Sequence, residues 1–549
     1  MTLRTRMTRP ADSTKPALAR VGDGRSGGAR SANVPRALLV LLFAAPLAAL
    51  AIALLAPARL PFVDFPQHVA LISIWERLDR GDPSMTSRYQ VNLLTPYVTG
   101  VVLAHALAGF VGPELAVRLV LFLSLAAVPL ATLAVLRAYG RPPELAIAAF
   151  AVAFAWVTFM GFVPWLVAVP LIVVGPALVR HIGSSRRAWA ALGLVAVAVF
   201  ATHALALPVF TLVAITTALG APNRRDRLLR LVRVVAALIP TVALGAIWAL
   251  GRARAPNPDP RDFTFGDPLA RLSVARYLFG ESTSEQRVLI VVVGLAGVAL
   301  GAAWLVRRGS GGTTTQPTAG GPRPDRPPVI QRLAATLRDR PLAWPFLALA
   351  AAYAVAPTTA LDAYGLWQRF APIAFVLGIG LVPWPTERRP RLVLAVALSV
   401  VASYASLATL SQSAAFDRQV AGLDSVLAGL PDGERLFYEQ PTVAADGVGV
   451  RALRHVSAVY LTMHGGDTDY NFAMFPHMVV RLAEPRVLLT EPATYAFDLR
   501  FGACPSVAGL PLGDEVAHSG DWHVFAVRGP IVRPSDAAPP DSAGSGAAC

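Results

Sequence analysis

Long apolar runs, separated by short arginine-bearing turns, occupy residues 36–410. An uninterrupted run of roughly 20 apolar residues can pair all its backbone groups across a bilayer only as a helix. The runs follow one another too closely for a soluble core. Charged residues also make up only 15% of the chain, against roughly 25% in soluble domains. The reading is an α-helical polytopic membrane protein. Taken in order, the crossings fall at about 36–58, 115–136, 143–160, 164–180, 188–203, 205–220, 231–250, 288–306, 342–357, 370–384 and 392–410, about 11 transmembrane helices.

Basic residues outnumber acidic ones by 49 to 34. In a soluble chain that excess would suggest nucleic acid. In a chain of apolar runs it sets orientation, because arginine gathers in cytoplasmic loops. Membrane lipids are therefore the expected surroundings, and no nucleic acid partner is expected. One stretch decides the topology: residues 93–112 are long enough to cross but contain Pro96, His105 and several glycines. If they lie along the outer surface, the turns with Arg137 and Arg141, Arg180 to Arg187, Arg224 to Arg233, Arg307 to Arg340, and Arg388 to Arg391 all fall inside. The turns at 161–163 and Ala204 carry no basic residue and fall outside. Crossing at 93–112 would reverse every one of these.

This places residues 1–35 as a disordered basic tail in the cytoplasm, 36–410 as the membrane domain, and 59–113 as an outer loop with surface helices. Residues 307–341, rich in Gly, Pro and Thr, read as a cytoplasmic linker. Beyond 410 the composition becomes that of a soluble domain. Residues 411–532 read as a small extracytoplasmic α/β domain and 533–549 as a disordered tail. The two cysteines, Cys504 and Cys549, have no metal or redox spacing and read as unpaired thiols. No cofactor is expected, with a divalent metal left open. The location is the inner or plasma membrane, multi-pass, with the N-terminus cytoplasmic.

The outer loop opens with Asp64-Phe-Pro-Gln-His68, directly after the first run. Pro66 suits the first turn of a helix, where its missing N–H is no loss. A helix from there through Val69, Ile72, Trp75 and Leu78 to the Gly81-Asp82-Pro83 breaker puts Asp64 and His68 on one face. A carboxylate and an imidazole at the membrane surface can do proton chemistry, or can simply solvate the loop with Asp64 capping the helix. His203, at the outer end of the fifth crossing, either joins such a site or packs as a core histidine. Arg369, where the tenth crossing starts, either binds a phosphate or carboxylate or snorkels to the headgroups. His464-Gly-Gly-Asp467-Thr-Asp469-Tyr470 reads as a turn. No phosphate-binding loop, serine nucleophile elbow or zinc-protease helix is present.

The layout of residues 36–141 resembles the GT-C superfamily of polytopic glycosyltransferases that use polyprenyl-phosphate-linked sugars. The matching parts are Asp64-Phe-Pro-Gln-His68 after the first span, a surface helix over 69–80, and Thr95-Pro96-Tyr97 opening a second one. Ala116-Val117-Arg118 then begins a span that ends in the basic turn 137–141. Many members carry paired acids in the first loop, whereas here Phe65 follows Asp64. The resemblance implies sugar transfer from a polyprenyl-phosphate donor on the outer face, with inversion. Asp64 would be the general base and His68 its neighbour. His203 and Arg369 would steady the leaving phosphate. Two other readings stay open from the residues: a non-catalytic envelope or assembly protein, and a lipid or solute transporter. The latter usually shows internal repeats, and none is seen here.

Overall fold

The computed structural model describes residues 34–252, 261–279, 340–361, 363–385, 387–438, 450–484, 495–502 and 512–529. The expected crossing at 288–306, both cysteines, most of the 307–341 linker and the terminal tails lie outside the described residues.

Among the described residues, five helices are long and apolar enough to cross a membrane: Arg36–Leu55, Pro113–Ala138, Val163–His181, Arg224–Gly251 and Arg388–Gln419. We label α1 Arg36–Leu55, α2 Phe65–Asp79, α3 Val98–Val111 and α4 Pro113–Ala138. Next come α5 Val163–His181, α6 Arg186–Thr202, α7 Ala206–Leu219 and α8 Arg224–Arg252. The last membrane-domain helices are α9 Ala343–Val355, α10 Phe370–Ile379 and α11 Arg388–Gln419.

One expected crossing is not an α-helix. Residues 143–160 form a 3-10 stretch, Pro143–Val152, and a single turn, Trp156–Phe159. Pro142 and Pro143 force an extended entry. The 3-10 rise of about 2.0 Å per residue carries ten residues roughly 20 Å. The segment still runs from end to end. Glu144 pairs with Arg391 at the start of α11, while the Phe159 and Met160 carbonyls accept from Val63 and Asp64 beyond the end of α1.

Helices α1 and α11 run parallel. Ser399 Oγ donates to the Leu42 carbonyl, and further along the Arg59 N–H donates to Asp417 Oδ1. The end of α11 therefore emerges beside the loop after α1, opposite the start of both helices. The arginine turns gather at that opposite end. Arg141 reaches the Val382 carbonyl, Arg340 that of Leu381, and Arg233 those of Ile182 and Gly183. Both ends of α3 sit at the Asp64 end. Thr95, just before it, bonds the His477 carbonyl, and Gly112, just after it, leads to Glu114 beside Arg59.

Past α11 the chain folds into a helix, Leu423–Ala428, and a five-stranded sheet. The strand order is 467–468, 435–438, 497–501, 522–527, 512–519. The first three strands are parallel, and 522–527 is antiparallel to both its neighbours. This domain is stitched to the loop after α1 by an antiparallel pair, Tyr89–Val91 with Val480–Leu482. Gln67 adds a two-pronged clamp: its Nε2 donates to the Tyr470 carbonyl and its Oε1 accepts from Phe472 N–H.

Candidate functional site

Four local features place Asp64. Arg118, buried on α4, donates to the carbonyls of Leu54, Pro57 and Ala58 and to Glu114 Oε1, closing the last turn of α1. Val63 and Asp64 then pair their N–H groups with the 159–160 carbonyls. Gly161 makes that approach close, with φ +73° and no side chain; a Cβ there would stand 2.8 Å from Asp64 N. Pro66 in the first turn of α2 completes the turn out.

Asp64 is the residue before α2, but its carboxylate makes no capping bond to the helix. Its Oδ1 lies 3.4 Å from Nε2 of His455, a buried histidine of the C-terminal domain. His455 is stacked face to face on Tyr470, ring centres 4.7 Å apart. His68 lines the same cavity, packed edge-on against Phe472. Burial lowers its pKa to about 4, against the opposing pull of a bond to the Gly161 backbone. It is therefore neutral at neutral pH, and the imidazole in contact with Asp64 is that of His455.

His203 and Arg369 meet on the opposite wall. Arg369 ends a 3-10 turn, Trp367–Arg369, just before α10. Its Nη1 is 3.0 Å from His203 Nε2, and its Nη2 donates to the Tyr364 carbonyl. The guanidinium lies over Phe162, 4.2 Å from the ring centre, and faces Trp165 as well. Burial lowers its pKa to about 10, opposed by Tyr97 and Asp64, so it stays charged at neutral pH. Among the described residues it has no carboxylate partner, and its Nε is buried without an acceptor.

The contact with His203 is itself short of acceptors. His203 Nδ1 faces the Leu205 N–H at 3.2 Å, and Nε2 faces Arg369. A neutral imidazole has one acceptor nitrogen, so one of the two donors goes without. An oxyanion seated against Arg369 and His203 would accept from the guanidinium and from Nε2–H, and so resolve the conflict.

All four residues singled out in the sequence thus line one cavity, together with Tyr97, Met160, Phe162, Trp165, Tyr364, Arg454, His455, Tyr470, Phe472, Phe475 and His477. Its volume is about 140 Å³. Sequence reasoning missed His455, His477 and Arg454, which come from the C-terminal domain. Tyr97 could have been found, since it follows the Thr95-Pro96 pair; its ring lies between His203 and His477 at 4.8 and 4.9 Å. Among the described residues no group of three His, Cys, Asp or Glu side chains is arranged to hold a metal ion.

No protein-family model and no curated protein matches the chain by sequence. Solved structures do match. ArnT from Cupriavidus metallidurans bound to undecaprenyl phosphate superposes with a TM-score of 0.50 at 13% identity, covering 91% of this chain and 100% of that one. The apo form of the same protein gives 0.49 at 13% identity, covering 89% and 98%. The arabinofuranosyltransferase AftD from Mycobacteria gives 0.48 at 16% identity, covering 90% of this chain and 40% of that one. At these identities the likeness is one of fold. The chain has a GT-C-like polytopic membrane fold with a small α/β domain packed over one end.

Proposed function

We propose that this protein transfers a sugar from a polyprenyl-phosphate donor to an acceptor hydroxyl, with inversion, in the cavity between Asp64 and Arg369. The observation that carries the reading is the pairing of opposite needs on two walls. One wall offers a carboxylate not spent on helix capping; the other offers a buried guanidinium lacking an anion. A fold shared with a protein that binds undecaprenyl phosphate supports the assignment of that anion to a lipid phosphate.

In the proposed step the acceptor oxygen forms its bond to the anomeric carbon as the bond from that carbon to the phosphate oxygen breaks. The acceptor's proton passes to the Asp64 carboxylate, and His455 steadies the position of that carboxylate. The electron pair leaves with the polyprenyl phosphate, whose added negative charge develops beside Arg369 and His203 Nε2–H. Preorganised donors in a site of low dielectric are worth most where such charge appears. The cavity lies at the end opposite the arginine turns, so by the positive-inside rule it opens on the extracytoplasmic face of an inner or plasma membrane, in a bacterial cell envelope.

The test is turnover by the purified full-length protein in lipid nanodiscs, with a panel of prenyl-phosphate-linked sugars and acceptors. Asp64→Asn keeps size and hydrogen-bonding reach but removes the base, and should cost about 10²–10⁴-fold in turnover while prenyl monophosphate still binds. Near-normal turnover by Asp64→Asn would sink the mechanism. An inactive wild type across the panel would favour a non-catalytic envelope protein.

A further inference from the structure

The cavity contains a second cation that the transfer of a sugar from a lipid phosphate does not use. Arg454 sits in the 3-10 turn Ala452–His455 of the C-terminal domain, one residue before the histidine that meets Asp64. It lines the same cavity. Among the described residues its guanidinium takes part in no hydrogen bond or ion pair, and its Nε is buried without an acceptor. Three other arginines of the same domain are matched, Arg435 to Asp467, Arg500 to Asp498, and Arg528 to Asp514, while Arg481, whose Nε is also buried without an acceptor, does not line the cavity. A guanidinium offers five donors in a rigid fork, and burying part of it unpaired is costly unless a ligand completes it.

The charge balance of the cavity says what that ligand must be. Among the described lining residues Asp64 is the one carboxylate, against the two guanidinium groups of Arg369 and Arg454. A sugar–phosphate–lipid diester carries a single negative charge, and Arg369 with His203 is already short of one anion. Arg454 stands on the other wall, contributed by the soluble domain rather than by the membrane helices. We infer that Arg454 forms a second anion subsite, so that the reacting pair carries a carboxylate or phosphate beyond the lipid phosphate. This rests on the transfer reading above and narrows it to substrates with an additional acidic group, either on the donor sugar or on the acceptor.

The experiment uses the full-length protein in nanodiscs and measures binding rather than turnover. In the donor arm, prenyl-phosphate-linked glucuronate is compared with prenyl-phosphate-linked glucose. In the acceptor arm, protein loaded with the glucose-linked donor is offered glucose 6-phosphate against glucose. In at least one arm the anionic probe should bind about tenfold or more tightly than the neutral one. Arg454→Gln should erase that preference, and Arg454→Lys should retain part of it. Melting profiles of both variants check that the fold survives. The proposal is overturned if neither arm depends on Arg454. It is equally overturned if Arg454→Gln weakens prenyl monophosphate alone as much as Arg369→Gln does, because the two arginines would then share the one lipid phosphate. Persistent discrimination by a protein without turnover would leave the subsite standing and remove the transferase reading.

Discussion

Gly161→Ala tests how Asp64 is held in place. The glycine has φ +73°, a region that costs an L-residue roughly 1–2 kcal/mol. A methyl group there would stand 2.8 Å from Asp64 N, 2.9 Å from Phe65 N and 3.2 Å from Asp64 Cα. These are backbone atoms with no rotamer to yield, so the start of α2 must retreat by roughly half an ångström to restore ordinary contact. That retreat stretches the bonds from Val63 and Asp64 to the 159–160 carbonyls, each worth about 1 kcal/mol net. The whole comes to about 2–4 kcal/mol. Gly140→Ala is the control: φ is +63°, but nothing lies within 4 Å, so only the backbone term applies. The assay is apparent unfolding temperature in detergent together with turnover. Gly161→Ala should be the less stable of the two and should lose at least about tenfold in turnover, since displacing a reacting group by 1 Å costs up to about 10²-fold. Equal behaviour of the two variants on both measures would refute the argument.

His68 makes the fold sensitive to acid. Its folded pKa is about 4 against 6.5 unfolded, so the unfolded chain binds the proton first. Stability is fully present above pH 6.5 and falls by about 1.4 kcal/mol per unit down to pH 4. His68→Phe should reduce the acid slope by about that amount, and an unchanged slope would reject the assignment. Glu144→Gln should cost about 3–5 kcal/mol by leaving Arg391 buried and unpaired; a variant that melts like wild type would show that the pair is not structural. Single cysteines at positions 140 and 520, with Cys504 and Cys549 replaced by serine, should differ in labelling by an impermeant thiol reagent in intact cells. Only the one at 520 should react, and equal reactivity would overturn the placement of the two ends.

The membrane domain was legible because two signals of different physical origin agree. Apolar runs mark helices, and arginines mark which ends of them lie together. The signals failed at 143–160, where apolar content is high but consecutive prolines and small residues give a tighter helix with a longer rise per residue. Composition reports the environment of a segment and is silent on whether its backbone closes bonds at three residues or four. The C-terminal domain was legible in outline, because its composition departs from that of the apolar runs before it. Its docking was not, since Gln67 and the 89–91 strand find their partners roughly 390 residues away.

The helix α2 shows how the site itself was half concealed. It was expected along the outer membrane surface, presenting Asp64 and His68 to a cavity. Both do line one, and residues 67–75 are moreover buried on every side, Gln67 and His68 included. A helix apolar around its whole circumference cannot lie at an interface with water; it must be enclosed. The run Val69-Ala-Leu-Ile-Ser-Ile-Trp75 already has that character, so the sequence implied a cover over α2 without saying what supplies it. The cover is the C-terminal domain, which bonds Ser73 and Arg77 through the carbonyls of Thr462 and Met463. The same packing that hides the apolar circumference of α2 sets His455 against Asp64 and turns Arg454 into the cavity. A carboxylate on a bare surface helix would be solvated and its position loose. Under this roof it is held between two helical layers and a histidine, in a cavity whose far wall carries an unmatched guanidinium. The domain is thus part of the site, and removing it would expose α2 rather than merely uncap a preformed pocket.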